Sequence, residues 1–250
     1  MHSINNLSGN KIKEIKKLHL KKYRDEKCLY IAEGEKAFEE AVAENIEILE
    51  IYALKTYKVK YKENKTVYVS ENDMKKISTT ASACEVLIIA KQKDTSEKAL
   101  KGEKLILIDS ISDPGNLGTI IRSASAFGAD GIILYSDCVE LYSPKVIRSC
   151  AGNFYKTPII KIKTSEELKE MFPNHTLIST ALKKDNTITI NEIRKLDKLV
   201  IMFGSEANGL SKKLIETADK NILLNMKNNV DSLNIAVCAS IILYEMFNIC

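Results

Sequence analysis

The chain has 250 residues, 45% of them hydrophobic, and 37 Lys and Arg against 33 Asp and Glu give a formal charge of +4. That apolar content supports one large core or two smaller ones and excludes disorder as the default, while so mild a basic excess does not by itself single out nucleic acid. The six Cys form no Cys-x-x-Cys pair and His2, His19 and His175 lie far apart, which excludes a disulfide scaffold and predicts reduced thiols, a cytoplasmic protein and no metal centre.

No apolar core follows the N-terminal charges, so no signal peptide is expected. Residues 11–27 carry eight Lys or Arg against three acids, with Ile12, Ile15 and Leu18 at helical spacing. They predict one basic amphipathic helix, whose charged face is either merely solvated or a phosphate-contacting surface. A strand over 29–32, a helix over 35–45, strands over 46–53 and 66–69, a helix over 71–77 capped by Ser70 and a strand over 86–90 make a small α/β domain. Residues 91–104 are charged and lack an apolar stripe, the pattern of a linker. The expected division is 1–95 for the first domain, 96–104 for the linker and 105–250 for the second domain.

Apolar runs at 105–108, 132–134, 157–162, 177–180, 199–203 and 222–224 are separated by helix-length segments, which predicts about six mostly parallel strands. After the first run, a Pro114-Gly115 turn opens a helix with Leu117, Ile120, Ile121, Ala124 and Phe127 at helical spacing, and Gly128 stops it. Arg122 lies on this helix and is a candidate to face the same cavity as Asn116. Residues 233–247 form a last helix that is apolar nearly all round, and Glu245 interrupts it too early for a membrane span of roughly 20 residues. Such a helix needs cover on both sides, in the core or at a subunit interface.

Two further loops carry candidate chemistry. Residues 199–203 run straight into Gly204-Ser205-Glu206-Ala207-Asn208-Gly209-Leu210-Ser211, where two Gly let the backbone turn tightly and approach a ligand, and Ser211 is placed to cap the next helix. A plain strand-to-helix turn leaves Glu206 unexplained. The other loop, 223–234, ends in Ser232-Leu233-Asn234. Ser232 reads as an N-cap, and Asn234 reads as an amide inside an apolar helix, where burial would demand partners. Neither Gly-x-Gly-x-x-Gly after a first strand nor a Gly-Lys-Ser/Thr phosphate loop is present. Residue chemistry alone stops at a two-domain α/β protein with three candidate loops at strand ends.

Asn116 to Ala124, Phe203 to Ser211 and Ser232 to Val237 occur in the order and spacing of three motifs, and together they resemble the SpoU (TrmH) family of RNA 2′-O-ribose methyltransferases, in the SPOUT superfamily. Residues 143–152 resemble a further family segment, and residues 11–34 are similar to the L30e-like substrate-binding domain of the ribosomal RNA members. The resemblance implies a SPOUT domain with a deep trefoil knot, S-adenosylmethionine as cofactor, RNA as substrate and a homodimer, without metal or membrane. Ribosomal RNA fits the separate basic N-terminal domain better than transfer RNA, and a non-catalytic RNA-binding protein that keeps the fold is the reading from another class. Carried over by position, Asn116, Arg122, Glu206, Ser232 and Asn234 form the catalytic set. Gly204, Ser205, Glu206, Gly209, Leu210, Ile222, Leu224, Met226, Ser232 and Leu233 hold the cofactor. Lys16, Lys17, Lys21, Lys22, Arg24 and Arg148 face RNA. Arg122 is the family's proposed key residue, sometimes as base; because guanidinium stays protonated, a phosphate clamp and alkoxide stabiliser fits it better. The sequence departs from the family at Asn225 and Asn228, where Pro and Gly are usual, and around Ala83-Cys84-Glu85, where Pro-Gln-Gly is often seen; Asn tolerates the left-handed backbone that Gly supplies.

Overall fold

The structure, a computed structural model, describes residues 4, 6–61, 65–80, 82–180, 186–205, 208–224, 226 and 232–247. In chain order the elements are α1 (Gly9–Lys17), α2 (Lys21–Lys27), β1 (Leu29–Glu33), α3 (Glu35–Ala43), β2 (Ile48–Leu54), β3 (Thr66–Val69), α4 (Glu71–Ile77) and β4 (Val86–Lys91). Then follow α5 (Ser96–Ala99), β5 (Lys104–Asp109), α6 (Pro114–Phe127), β6 (Gly131–Tyr135), α7 (Pro144–Cys150), β7 (Ile159–Ile162), α8 (Ser165–Met171) and β8 (Thr176–Ser179). The chain closes with β9 (Thr187–Ile188), α9 (Ile190–Arg194), β10 (Leu199–Phe203), α10 (Lys212–Thr217), β11 (Lys220–Ile222) and α11 (Ile235–Phe247).

These elements fall into two compact units, Met1–Lys93 with Glu140–Tyr155, and Asp94–Val139 with Lys156–Cys250. The division departs from the expected boundaries in two places. Residues 96–104 are not a free linker: α5 forms there, Ala99 is fully buried, and Thr95 Oγ1 both donates to Ile159 O (3.1 Å) and accepts from Ile159 N (2.8 Å) in the second unit. Residues 140–155, expected in the second domain, belong to the first unit.

The first unit has a four-stranded sheet in the order β1-β4-β2-β3, antiparallel except between β2 and β3. Its core gathers Ile15, Leu18, Ile31, Tyr52, Met74, Ile77 and Leu87. The predicted single basic helix is two. Leu18 N–H turns back to Ile15 O at 3.0 Å, and His19 Nε2 bonds Ile77 O at 2.9 Å, so the chain is tied to the end of α4 where the helix would have continued. Arg24, expected to face RNA, is 3% exposed. Its guanidinium donates to Leu18 O at 2.8 Å and pairs with Glu140 at 2.7 Å. The same segment brings Tyr142 and Tyr155 onto Tyr30, with ring centroids 5.2 and 6.4 Å apart, and Tyr155 N–H donates to the buried Glu40 carboxylate at 2.7 Å. Aromatic packing and one desolvated ion pair therefore hold residues 140–155 in this unit.

The second unit has seven strands in the order β7-β6-β5-β10-β8-β11-β9, and every pair is parallel. β6 and β10 are buried along their length and β5 from Leu105 onward, which is why they read as unbroken apolar runs. The run expected at 222–224 forms earlier, as β11, and the two-residue β9 is too short to show an alternating pattern. α6 and α11 pack together, with Ser123 Oγ and Ser240 Oγ 2.7 Å apart between them. Six apolar or small residues of α11 are buried, Ile235, Ala236, Ala239, Ile242, Leu243 and Met246, while Val237, Ile241 and Tyr244 stand 48%, 39% and 48% exposed on another stripe.

Removing one partner of a buried ion pair strands the other charge, at a cost of roughly 3–5 kcal/mol. Arg24→Ala should therefore lower the unfolding free energy by about that amount, whereas Arg24→Met with Glu140→Leu should recover most of it. Thermal or urea denaturation of the three chains measures this.

Candidate active site

The site grows from the carboxyl end of the parallel sheet, where β10 passes into the loop from Gly204 to Ser211. A Cβ at Gly204 would lie 2.0 Å from both Gly209 C and Leu210 N, so only glycine lets the loop fold back on its own start. The fold-back is held by a bridge between Ser205 and Gly209, with Gly209 N–H donating to Ser205 O at 2.8 Å and Asn208 N–H to Ser205 Oγ at 3.3 Å. Gly209 makes the turn at φ +64°, in the left-handed region.

This loop walls a cavity of about 380 Å³. Gly204, Ser205, Gly209, Leu210, Leu224, Met226, Ser232 and Leu233 all line it, so eight of the expected cofactor positions meet around one space. Glu206 lies outside the described residues, as do Asn225 and Asn228. Ile222 is not on the wall: as the last residue of β11 it is 3% exposed and packed inside. Asn208, within the stretch expected to line the cofactor by its backbone, is also on the wall, and the sequence reading missed Thr180, Phe203, Ile215, Leu223, Ile235 and Cys238. Phe203 and Thr180 sit at or just beyond the carboxyl ends of adjacent parallel strands, and that position is the signal that would have found them. Thr180 is held there by its hydroxyl, which donates to Met202 O at 2.9 Å. Burial pushes the Cys238 thiol up from its usual range, which keeps it neutral and makes it wall rather than nucleophile. The cavity thus offers apolar faces for a flat ring and the backbone of a tight loop along its edge, with a glycine cradle that a side chain would fill.

The polar set lies beside it. Asp113 caps α6, its Oδ1 accepting from Asn116 N at 2.8 Å, and Pro114 supplies the first helical residue. Asn234, expected within the last helix, is instead its cap. Its Oδ1 accepts from Ala236 N (2.9 Å) and Val237 N (3.3 Å), and its Nδ2 donates to Asn116 Oδ1 at 3.1 Å. The exposed Asn234 amide therefore has partners without being buried, and the capping role expected of Ser232 falls to it. Ser232 lines the cavity, as do Leu233 and Ile235 on either side of Asn234. Ser211 stands at the N-cap of α10 but makes no capping bond with its side chain. Arg122 is exposed on α6 and is not on the cavity wall. Six residues beyond Asn116, it lies about 9 Å farther along the axis and about a third of a turn away. Asn116 and Asn234 are brought together, and Arg122 stands apart from them.

In the first unit, Lys16, Lys17, Lys21 and Lys22 are exposed. Lys17 Nζ lies 5.5 Å from the Tyr23 ring centroid and Lys21 pairs with Asp25. Arg148 is exposed on α7 and donates to Thr79 Oγ1 at 3.1 Å. Among the described residues no group of three or more His, Cys, Asp or Glu is placed to hold a metal ion, and no helix is long and apolar enough to cross a membrane.

Two family models match the chain, SpoU rRNA Methylase family over residues 103–244 and MRM3-like substrate binding domain over residues 9–105. The chain is 28% identical to the 23S rRNA (guanosine(2553)-2′-O)-methyltransferase RlmP of Bacillus subtilis (strain 168), over 98% of its own length and 99% of the relative's. Its structure is similar to that of an AdoMet-bound rRNA methyltransferase from Sinorhizobium meliloti, with a TM-score of 0.85, 27% identity and 97% and 96% of the two chains covered. At 19% identity it also shares the fold of the SpoU methyltransferase AviRb from Streptomyces viridochromogenes, with a TM-score of 0.83 over 96% and 97% of the two chains.

Gly204→Ala tests the cradle. The added methyl cannot fit without opening the contact with Gly209 and Leu210, so binding of any ligand in the cavity should fall by at least about tenfold, a loss of roughly 1.4 kcal/mol. Titration calorimetry with S-adenosylmethionine measures it.

Proposed function

This chain belongs to the SpoU rRNA methylase family, and on that premise we propose that it transfers the methyl group of S-adenosylmethionine to a ribose 2′-hydroxyl of ribosomal RNA. The observation that carries the reading is the loop that only glycine permits at Gly204, which walls a cavity also lined by Ser232 and Leu233, next in sequence to the Asn234 of the Asn116–Asn234 amide pair. The full-length likeness to a 23S rRNA methyltransferase, together with the match to a substrate-binding domain over residues 9–105, supports ribosomal RNA as the substrate.

When bound, the cofactor supplies a sulfonium methyl group that is already electrophilic. The remaining work is to hold the ribose oxygen in line and to favour loss of its proton. Asn234 is fixed by the two α11 amides that it caps, so its Nδ2 presents a set direction to Asn116. In our reading these two amides, with Glu206, orient the ribose, while Arg122 acts from its separate place on α6. A guanidinium is a planar cation with several donors and no acceptor, which suits Arg122 to a clamp on the RNA phosphate and a stabiliser of the developing 2′-oxyanion rather than a base. Gly204, Ser205, Gly209 and Leu210, with Leu224, Met226 and Leu233 on the same cavity wall, would hold the cofactor.

The exposed Lys16, Lys17, Lys21 and Lys22 of α1 and α2, with Arg148 on α7, serve as the RNA-facing cations of the first unit. The half-exposed apolar stripe Val237, Ile241 and Tyr244 fits a homodimer contact along α11. The deep trefoil knot is expected of the second unit. Five free thiols among the described residues fit a cytoplasmic protein.

If Arg122 stabilises the oxyanion, Arg122→Ala should lower kcat by about 100-fold or more while leaving cofactor affinity within about twofold. Arg122→Lys keeps the charge but loses the fork, and should fall between the two. Methyl incorporation into ribosomal RNA under single-turnover conditions tests this, and wild-type turnover in the lysine variant would remove Arg122 from the mechanism. Reversing Lys16, Lys17 and Lys22 to Glu should weaken RNA binding and flatten its salt dependence without changing cofactor affinity. Filter binding at several salt concentrations is the check.

A further inference from the structure

We infer that Asp109 is a positioning residue that staples the two ends of the cofactor loop together and couples that loop to α6. The inference rests on the cofactor reading given above. Asp109 ends β5 and is 2% exposed. The last rung between β5 and β10 pairs Ile108 with Phe203, so Asp109 stands level with Gly204, where the loop begins. The loop ends at Ser211, whose backbone N–H donates to Asp109 Oδ2 at 2.8 Å. Asp109 thus follows the last rung beside the loop's start and bonds the loop's finish.

The other carboxylate oxygen holds the next residue in the chain. Asp109 Oδ1 accepts from Ser110 Oγ at 2.7 Å, and Ser110 holds a left-handed φ of +55°. That conformation costs a non-glycine residue about 1 kcal/mol or more unless its surroundings impose it. The turn at Ser110 carries the chain off β5 toward Asp113, the cap of α6, and hence toward Asn116 and Arg122. One buried carboxylate thus fixes both the loop assigned to the cofactor and the turn that leads to the helix assigned to the ribose. In a site this dry the loss of that hydrogen bond is costly, because it leaves the Ser211 N–H without its acceptor.

The test uses the full chain and compares wild type with Asp109→Ala, Asp109→Asn and Ser211→Pro. Asparagine keeps an oxygen for the Ser211 N–H. Proline removes that N–H at a residue whose φ of −60° already suits it. Calorimetry with S-adenosylmethionine should give a Kd raised about tenfold or more in Asp109→Ala and Ser211→Pro, and within about threefold of wild type in Asp109→Asn. RNA affinity should stay close to wild type in all three, and the melting temperature measured without cofactor should fall by no more than the few degrees that one lost buried hydrogen bond costs. Wild-type cofactor affinity in both Asp109→Ala and Ser211→Pro would overturn the proposal. So would an Asp109→Asn variant as weak as Asp109→Ala, or a parallel loss of RNA affinity and cofactor-free stability, since either would mark a structural role. If Asp109→Ala does not fold, Ser211→Pro against Asp109→Asn decides by the same criteria. Failure of the wild-type chain itself to bind S-adenosylmethionine would sink the cofactor reading and the proposal with it, and that result is distinct from binding that the variants leave unchanged.

Discussion

The backbone of the second unit closes on itself at a point where no side chain can stand. With any Cβ at Gly204, the chain leaving β10 could not lie against Gly209 and Leu210, and the loop would have to swing outward. The contact depends in turn on β10 being fixed. That strand is buried along its whole length between β5 and β8, so the loop starts from a rigid base. Parallel sheets expose strand ends rather than strand faces to ligands, because helices cover the faces. Phe203, Thr180 and Leu224 come from different parts of the chain and meet at one such end.

The polar groups follow the same logic of fixed supports. Asn116 sits in the first turn of a helix whose start is set by Asp113 and Pro114. Asn234 sits at the start of a helix whose own amides lock its oxygen. Joining two helix starts through a single amide pair gives a polar edge with little rotamer freedom left to lose on binding, which is what preorganisation requires. The shared face of α6 and α11, with its Ser123–Ser240 contact, keeps those two starts in register.

Much of this was legible in the residues. Unbroken apolar runs marked β5, β6 and β10, and helical spacing from Leu117 to Phe127, closed by Gly128, marked α6. The motif loops then named eight positions that line the cavity. What escaped had physical causes outside the local pattern. Arg24 looked like one more cation on a basic helix, because its partner Glu140 is 116 positions away. The break between α1 and α2 is imposed by His19 reaching the end of α4, a contact no periodicity reports. Asn234 looked like an interior residue because the apolar pattern continues through Leu233, although its side chain is what starts the helix. Residues 140–155 carry Tyr142, Phe154 and Tyr155, which read as core of whatever surrounds them, and it takes their packing on Tyr30, with the Arg24–Glu140 and Tyr155–Glu40 contacts, to assign them to the first unit.

That assignment bears on how the chain is made. The first unit is assembled from Met1–Lys93 and Glu140–Tyr155, so it is not complete when its own sheet has been synthesised. All four of its strands lie before residue 93, yet Arg24 lacks its counter-charge and Tyr30 its aromatic cover until residue 155 is made. At 5–20 residues per second a ribosome needs about 3–12 s to cross that interval. During that time β5, α6 and β6 emerge while a neighbouring core is still open. The nascent chain must therefore hold two unfinished cores at once, and the stretch between residues 93 and 155 is where a pause in translation or a bound chaperone would have the most to protect.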